Sequence, residues 1–473
     1  MLAMAFTTSR AGNATGLMRS LCSLMPISIT LVSCSSSYAA AAAAGTSSGG
    51  GSSRGFALKA RGGAREEEAS TPVCNPRDSS GTNKHSFRST GHPAVPDGLR
   101  LKQVVVICRH GDRAPVSSSL GKILDDGPDS VKLWNSKLPP KEEVMKTQQQ
   151  QQQGAEELRL VGEGLRGVLE GGGDEGVGGE GSLFPAGLEA EKAAIFVRCT
   201  RLKRTHQSAQ NMLEGLGLKD GVDLYVRPPE RETLWPSKRN RGKQDRLIAR
   251  AIAESTFPGQ AELKTKTAEM VGVPEDDVKW TTVREVLSCY EAHGVALPAG
   301  AISSGLVEGV VDYTGWMWGR WFEQREMARL SLGPFLAELL TLVGARGHET
   351  GVPEAGIPST PKLAIFSGHD STLVPILTAL KIYDDVWPPY ASYITLDVAE
   401  DEQGGGRLVR VVFNGREEVL PGAKGPWVPL LELQERLEDV MPTAEDAIDS
   451  DLDDAATGSS EISAAISGSG KTK

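Results

Sequence analysis

The sequence lacks the cysteine spacing that holds a metal or a redox pair. Its six cysteines, Cys22, Cys34, Cys74, Cys108, Cys199 and Cys289, lie far apart, with no C-x-x-C and no Cys/His cluster. That sets aside a zinc ribbon, a thioredoxin-like pair and a disulfide scaffold; no cofactor is expected. An apolar run of membrane-spanning length is missing too. The best stretch, Leu21 to Val32, is broken by Pro26 and several serines, so no stable membrane span is expected. Basic excess is also absent: 51 Lys and Arg stand against 61 Asp and Glu, a net charge of -10. This argues against a nucleic-acid partner. Finally, no acidic residue precedes Glu66, while Arg10, Arg19, Arg54 and Arg61 do. Such a leader reads as secretory or extracellular targeting, with a plastid or mitochondrial transit peptide as the alternative.

What is present is a core of ordinary apolar content diluted by flanks. Hydrophobic residues make up 39%, beside 54 Gly and 27 Pro. Residues 1–98 read as targeting leader and flexible linker, 99–440 as the folded domain, and 441–473 as a disordered acidic and Ser/Gly tail. Within the domain, an α/β core is expected over about 99–215 and 355–440, with a helical cap over about 216–354. The glutamine run Gln148 to Gln153 and the Gly-rich segment Gly171 to Gly181 read as insertions at loop tips. A basic stretch from Arg227 to Arg250 reads first as a solvated helix and loop, and second as a feature that attracts an acidic substrate.

The chain is organised around Val104 to Pro115, V-V-V-I-C-R-H-G-D-R-A-P. The β-branched run predicts a strand buried on both faces. It ends in Arg109, His110 and Arg113, at the carboxyl end where open α/β sheets place ligands. Two guanidiniums beside a histidine suit a phosphoryl group. The pattern recurs. A second apolar strand, Ala194 to Val197, ends at Arg198. A third, Lys362 to Ser367, ends at Gly368-His369-Asp370, just before the helical run Leu373, Ile376, Leu377, Leu380. His369 and Asp370 therefore fall at a helix N-terminus, which favours anions. Tyr393 to Val398 and Arg407 to Phe413 are expected to pair as an edge hairpin. The three tryptophans Trp316, Trp318 and Trp321 read as core. Cys108 and Cys199 read as buried small hydrophobes, and Asp112 as outward-facing or substrate-tuning. The expected fold is thus an α/β, mainly parallel central sheet flanked by helices, with the helical cap subdomain inserted.

Any one strand-end arginine is explained by a surface ion pair, and His369-Asp370 alone by a capped helix start. Three such ends together supply the parts for phosphomonoester hydrolysis, a reaction enzymes accelerate by up to roughly 10²¹-fold. Arginines neutralise the equatorial oxygens, and an imidazole nitrogen attacks phosphorus. A carboxylic acid protonates the departing alkoxide.

The same residues carry a family resemblance. R-H-G-D-R-A-P matches the R-H-G-x-R-x-P of the histidine acid phosphatase branch of the histidine phosphatase superfamily. F-V-R-C-T-R-L-K-R-T-H-Q-S-A resembles its middle arginine segment, with Cys199 where serine is usual, and S-G-H-D-S-T-L its His-Asp motif. L-S-C-Y-E-A-H-G from Leu287, R-L-S-L-G-P from Arg329 and P-P-Y-A-S from Pro388 are weaker echoes. The resemblance, over about residues 99 to 430, implies a histidine phosphatase-like fold and hydrolysis through a phosphohistidine. It implies His110 as nucleophile, Asp370 as proton donor, and Arg109, Arg113, Arg198 and His369 as holders of the phosphoryl oxygens, with Arg204 structural and no metal.

A phosphoryl-transferring mutase, a phytase-like inositol phosphate phosphatase and a non-catalytic phosphate-binding scaffold are the competing readings. The intact nucleophile and acid favour hydrolysis over the first and last. A small-molecule phosphomonoester is the expected partner. Lysophospholipid, sugar phosphate, inositol phosphate and phosphoprotein stay open as substrates, and so does the oligomeric state.

Overall fold

A computed structural model describes residues 91–112, 149–171, 182–218, 220–292, 301, 303–345 and 361–447. The leader, Arg113, the loop that follows it, most of the Gly-rich segment and the C-terminal tail lie outside them.

Strand β1 (Leu99–Arg109) extends the predicted apolar run at both ends. Helix α1 (Gln149–Glu170) follows, then β2 (Ile195–Cys199), α2 (Lys203–Gly215) and the short β3 (Leu224–Val226). The excursion that follows holds α3 (Arg241–Ala253), α4 (Gln260–Val271), α5 (Trp280–Ala292) and α6 (Leu306–Glu323). Helix α7 (Arg325–Leu342) returns the chain to β4 (Leu363–Gly368) and α8 (Asp370–Ala379). Strands β5 (Tyr393–Asp401), β6 (Arg407–Phe413), β7 (Arg416–Glu418) and β8 (Trp427–Pro429) and helix α9 (Leu430–Leu437) complete it.

The strands form one sheet in the order β3-β2-β4-β1-β5-β6-β7, with β8 also on β6. Strand β4 lies parallel between β1 and β2, in a register that sets Cys108 and Cys199 on either side of Ser367. The carboxyl ends of three strands distant in sequence therefore finish at one level. Alternation along β1 splits the core. Val105 and Ile107 face α7 and α8, packing with Phe335, Leu336, Leu373 and Ile376. Val104, Val106 and Cys108 face α1 and α2, packing with Leu158, Leu165 and Met212. Two-sided burial is why the run is continuously apolar.

Four expectations change. Gln149 to Gln153 open helix α1 and are no loop tip; glutamine is a good helix former, and low complexity does not oppose helix. Helix α7, assigned to the cap, packs its apolar stripe on the sheet instead. Strand β3 also joins the sheet, so the inserted helices run from α3 to α6. Strands β5 and β6 pair antiparallel, but β5 is also bonded along β1 and so is internal.

Within the insertion Trp316 and Trp321 are buried against Leu247, Tyr313 and Phe322, the core role expected of them. Helix α6 also carries Gly315, where an added Cβ would lie 2.2 Å from the Asp385 carbonyl oxygen. This close approach seats the 384–387 loop against α6. At the far side of the sheet Arg410, fully buried, binds the Asp397 carboxylate at 2.8 Å and the carbonyls of Pro93 and Ala94 at 2.7 and 2.8 Å. His92 adds a 2.8 Å contact to the same Asp397 oxygen. The segment preceding β1 is thereby fastened to β5 and β6.

Candidate active site

The site forms where β1, β2 and β4 end. The His110 amide donates to the Gly368 carbonyl at 3.1 Å, and the Thr200 amide to that of Ser367 at 3.3 Å. The ladder thus continues past the strands and fixes the backbone that bears the chemistry. The His110 carbonyl accepts the Ala391 amide at 3.2 Å. Ala391 adopts φ 58°, a left-handed conformation that costs a non-glycine residue energy. The segment Pro388 to Ser392, one of the weaker sequence echoes, is therefore part of the site's wall.

His110 is buried, 2% exposed. Its Nδ1 lies 2.9 Å from the Gly111 carbonyl oxygen. A carbonyl can only accept, so Nδ1 carries a proton, and in the neutral ring the lone pair is on Nε2. Gly111 must be glycine: a Cβ there would lie 2.2 Å from the carbonyl oxygen of Gly154 in α1. Its amide donates to Ser208 Oγ in α2 at 3.0 Å.

His369 caps β4. Its amide donates to Thr372 Oγ1 at 3.1 Å, and its Nε2 lies 3.1 Å from Thr200 Oγ1. The Thr205 hydroxyl donates to the carbonyls of Thr200 and Leu202 and lies 2.9 Å from Thr200 Oγ1. Thr205 therefore accepts from Thr200, which in turn accepts a proton from His369 Nε2. The two histidine rings meet edge-on, with centroids 5.5 Å apart. Asp370 opens α8, one Oδ accepting the Ser371 amide at 2.8 Å. Its other oxygen stands 3.1 Å from Arg109. Arg109 also donates to the Pro388 carbonyl at 2.5 Å and stacks on Tyr390 at 4.1 Å.

The structure thus brings His110, Arg109, His369 and Asp370 together. Arg113 lies outside the described residues. Arg198 sits two register pairs deeper than Arg109, opposite Phe366, with both terminal nitrogens of its guanidinium occupied. It donates to Glu338 and Glu232, both at 2.8 Å, and to Thr233 at 2.7 Å. Arg204, expected to be structural, stands in the first turn of α2, four residues before Ser208. Residues so spaced share a helix face, and Ser208 touches Gly111, so that face looks toward His110.

Sequence reasoning missed three residues. Asp112 is buried, 6% exposed, where an outward-facing side chain was expected. Its amide donates to Glu157 of α1 at 3.1 Å. Burial pushes the Glu157 carboxyl up to about 7, the nearby Asp112 charge adding to it, while the Asp112 amide and Arg109 pull the other way. The buried carboxyl keeps its proton well above the pH at which an unfolded glutamate loses it. Its contribution to stability is therefore greatest below about pH 4.5, falls as pH rises toward 7, and is level beyond. Glu157→Gln will flatten this slope, recovering up to about 3 kcal/mol at pH 7.5 relative to pH 4.5, read from urea unfolding at the two pH values. A variant whose pH slope equals that of the parent sinks this account. The third residue, Arg284 of α5, is buried with its Nη2 3.8 Å from Asp370 and its guanidinium 3.9 Å from the Trp387 ring centre. Only the weak echo beginning at Leu287 marked its helix.

The thiols are inert. Burial pushes Cys108 and Cys199 up to about 12 each, so neither is a nucleophile at ordinary pH. Three cations of the basic stretch are engaged elsewhere: Arg227 with Glu338, Arg241 with Asp245, Lys243 with Glu326. Among the described residues no helix is long and apolar enough to cross a membrane.

The family model of the histidine phosphatase superfamily, branch 2, matches residues 100–267 and 315–414. Lysophosphatidic acid phosphatase type 6 of Bos taurus is 26% identical over 380 residues, 72% of this chain and 83% of the relative. Counting factor 60 of Dictyostelium discoideum is 24% identical over 377 residues, 71% of this chain and 84% of its own. Among solved structures, a Hafnia alvei phytase in complex with myo-inositol hexakis sulphate superposes with a TM-score of 0.54 at 14% identity. The match covers 74% of this chain and 99% of that one, a likeness of fold.

Proposed function

From the premise that this chain belongs to branch 2 of the histidine phosphatase superfamily and is a phosphoric monoester hydrolase, we propose that it acts through a phosphohistidine on His110. One observation carries the reading. The His110 Nδ1 proton is spent on the Gly111 carbonyl, so in the neutral ring Nε2 is the nitrogen left to attack, held at the end of a rigid strand. Attack by Nε2 forms the N–P bond as the ester P–O bond breaks. Asp370 gives its proton to the departing alkoxide, then takes one from the water that cleaves the phosphohistidine. Arg109 and His369 flank the phosphoryl group, and Arg113 belongs to the same constellation by its place in the motif.

Arg198 is the member whose role we reassign. A guanidinium held by two carboxylates and a hydroxyl has little left to offer a substrate oxygen. It braces the loop after β3 against α7. Arg204, on the face of α2 that bears Ser208, takes the phosphoryl oxygen in its place. The phytase-like alternative loses part of its sequence support, because three cations of the basic stretch, Arg227, Arg241 and Lys243, are paired with carboxylates of the chain itself. The scaffold alternative is disfavoured by the assembled nucleophile and acid. The acid-poor leader is read with this as secretory targeting.

The test is the leaving-group dependence of Asp370→Asn. We expect kcat/KM for glycerol 2-phosphate to fall by about 10²-fold or more, since its alkoxide needs a proton. The fall for 4-nitrophenyl phosphate will be far smaller. Because kcat/KM reports steps through phosphoenzyme formation, slower dephosphorylation does not enter. Equal losses on both esters remove Asp370 from the acid role.

A further inference from the structure

Arg284 is the one part of the site with no task in the reaction so far. It is contributed by α5 of the inserted helices, and its side chain is 6% exposed. Trp387 covers one face of the guanidinium at 3.9 Å. Stacking leaves the N–H groups of a guanidinium in its plane, directed at the edge. Yet Nε has no hydrogen-bond partner, and the carboxylate in reach, Asp370, is 3.8 Å away, beyond hydrogen-bond distance. Asp370 is already bound more closely by Arg109. Two buried guanidiniums thus share one carboxylate, which must carry a proton when it serves as the acid. A buried cation with unused donors is costly unless an anion completes it. Burial and the neighbouring Arg109 both press Arg284 toward its neutral form, with Asp370 and Glu285 opposing them.

The position of such an anion is defined. Asp370 meets the ester oxygen of the leaving group, so a group reaching Arg284 belongs to the leaving alcohol and not to the phosphoryl group. We infer that Arg284 recognises a carboxylate carried on the leaving alcohol close to the ester oxygen, making the enzyme selective for phosphomonoesters of hydroxy acids. A planar carboxylate accepts two parallel bonds from the fork that Trp387 orients. The inference rests on the phosphohistidine reading and names the substrate class of that same site.

The test compares 2-phosphoglycerate with glycerol 2-phosphate, which differ by a carboxylate in place of a hydroxymethyl group. The unaltered enzyme will favour 2-phosphoglycerate in kcat/KM by about tenfold, mostly through KM, the effect of one charge-assisted contact. In Arg284→Met that ratio collapses to near one, and Arg284→Lys retains part of it. A side chain that merely positions Asp370 would lower both substrates equally, and equal losses overturn the inference. So does an unaltered enzyme with no preference, a measurement that needs no variant. Turnover of 4-nitrophenyl phosphate, with alkaline-quench detection of phosphohistidine, runs alongside. If no phosphohistidine forms there, the mechanism itself has failed; if it forms but the preference is absent, only the assignment of Arg284 has.

Discussion

His110→Ala will hydrolyse 4-nitrophenyl phosphate at least roughly 10⁴-fold more slowly than the parent protein, while melting at nearly the same temperature. The size follows from what is removed. Arg109, His369 and Asp370 stay in place, but the group proposed for in-line attack is gone, and water must do without it. Stability is spared because the contacts of the ring are with the site wall: the Gly111 carbonyl and the rings of His369 and Tyr390, with centres 5.5 and 5.8 Å away. The parent protein, quenched in alkali during turnover, will carry labelled phosphate on histidine, and the variant none. Turnover unchanged in the variant would leave the geometry of His110 without a function.

The second large effect concerns stability alone. Arg410→Met will lower the unfolding free energy by about 3–5 kcal/mol, because it strands the Asp397 carboxylate in a fully buried position. Burial by itself pushes the Asp397 carboxyl up. The bond to His92 and the charges of His92 and Arg410 more than offset this and hold it below the ordinary range. A depressed carboxyl contributes stability that is present above about pH 4 and lost on acidification through its folded value. In a domain of this size the loss corresponds to a melting temperature lower by roughly 6 °C or more, measured at neutral pH. Asp397 pairs with Val104, five residues before Arg109, so the folded fraction will keep its specific activity. The double variant Asp397→Val with Arg410→Met will cost less than Arg410→Met alone, since it removes the buried carboxylate that the single variant strands; Glu417, which also loses Arg410, is exposed enough to be hydrated. A single variant that melts within a degree of the parent means the cluster is no brace.

The parts of the fold read directly from the sequence are those whose pattern has one local cause. Val104 to Ile107, Ile195 to Val197 and Leu363 to Phe366 are β-branched or apolar throughout because helices cover the sheet on both faces. The strand-end chemistry followed from where those runs stop. Helix α7 shows the opposite case. Its Leu332, Phe335, Leu336 and Leu339 stripe is visible, but periodicity does not say which surface the stripe meets. The proposed exchange of roles between Arg198 and Arg204 has a related origin. Both follow an apolar strand, and only the carboxylates of Glu232 and Glu338, 34 and 140 residues away, decide which guanidinium is committed. Arg284 could not be found at all: no motif surrounds it, and its significance lies wholly in Trp387 and Asp370, about a hundred residues on.

The parallel pairing of β1 with β4 has a consequence for synthesis. Strand β1 is among the first folded elements to leave the ribosome, and its partner from Leu363 follows about 250 residues later. At roughly 5–20 residues per second, that interval is on the order of 13–50 s. Throughout it, an apolar strand waits with both of its edges unpaired, since β5 is made later still. Helices α1 and α2 can cover only one of its faces in the meantime. Chains released before β4 therefore expose a ready template for strand addition, and fragments ending short of residue 360 should accumulate as aggregates.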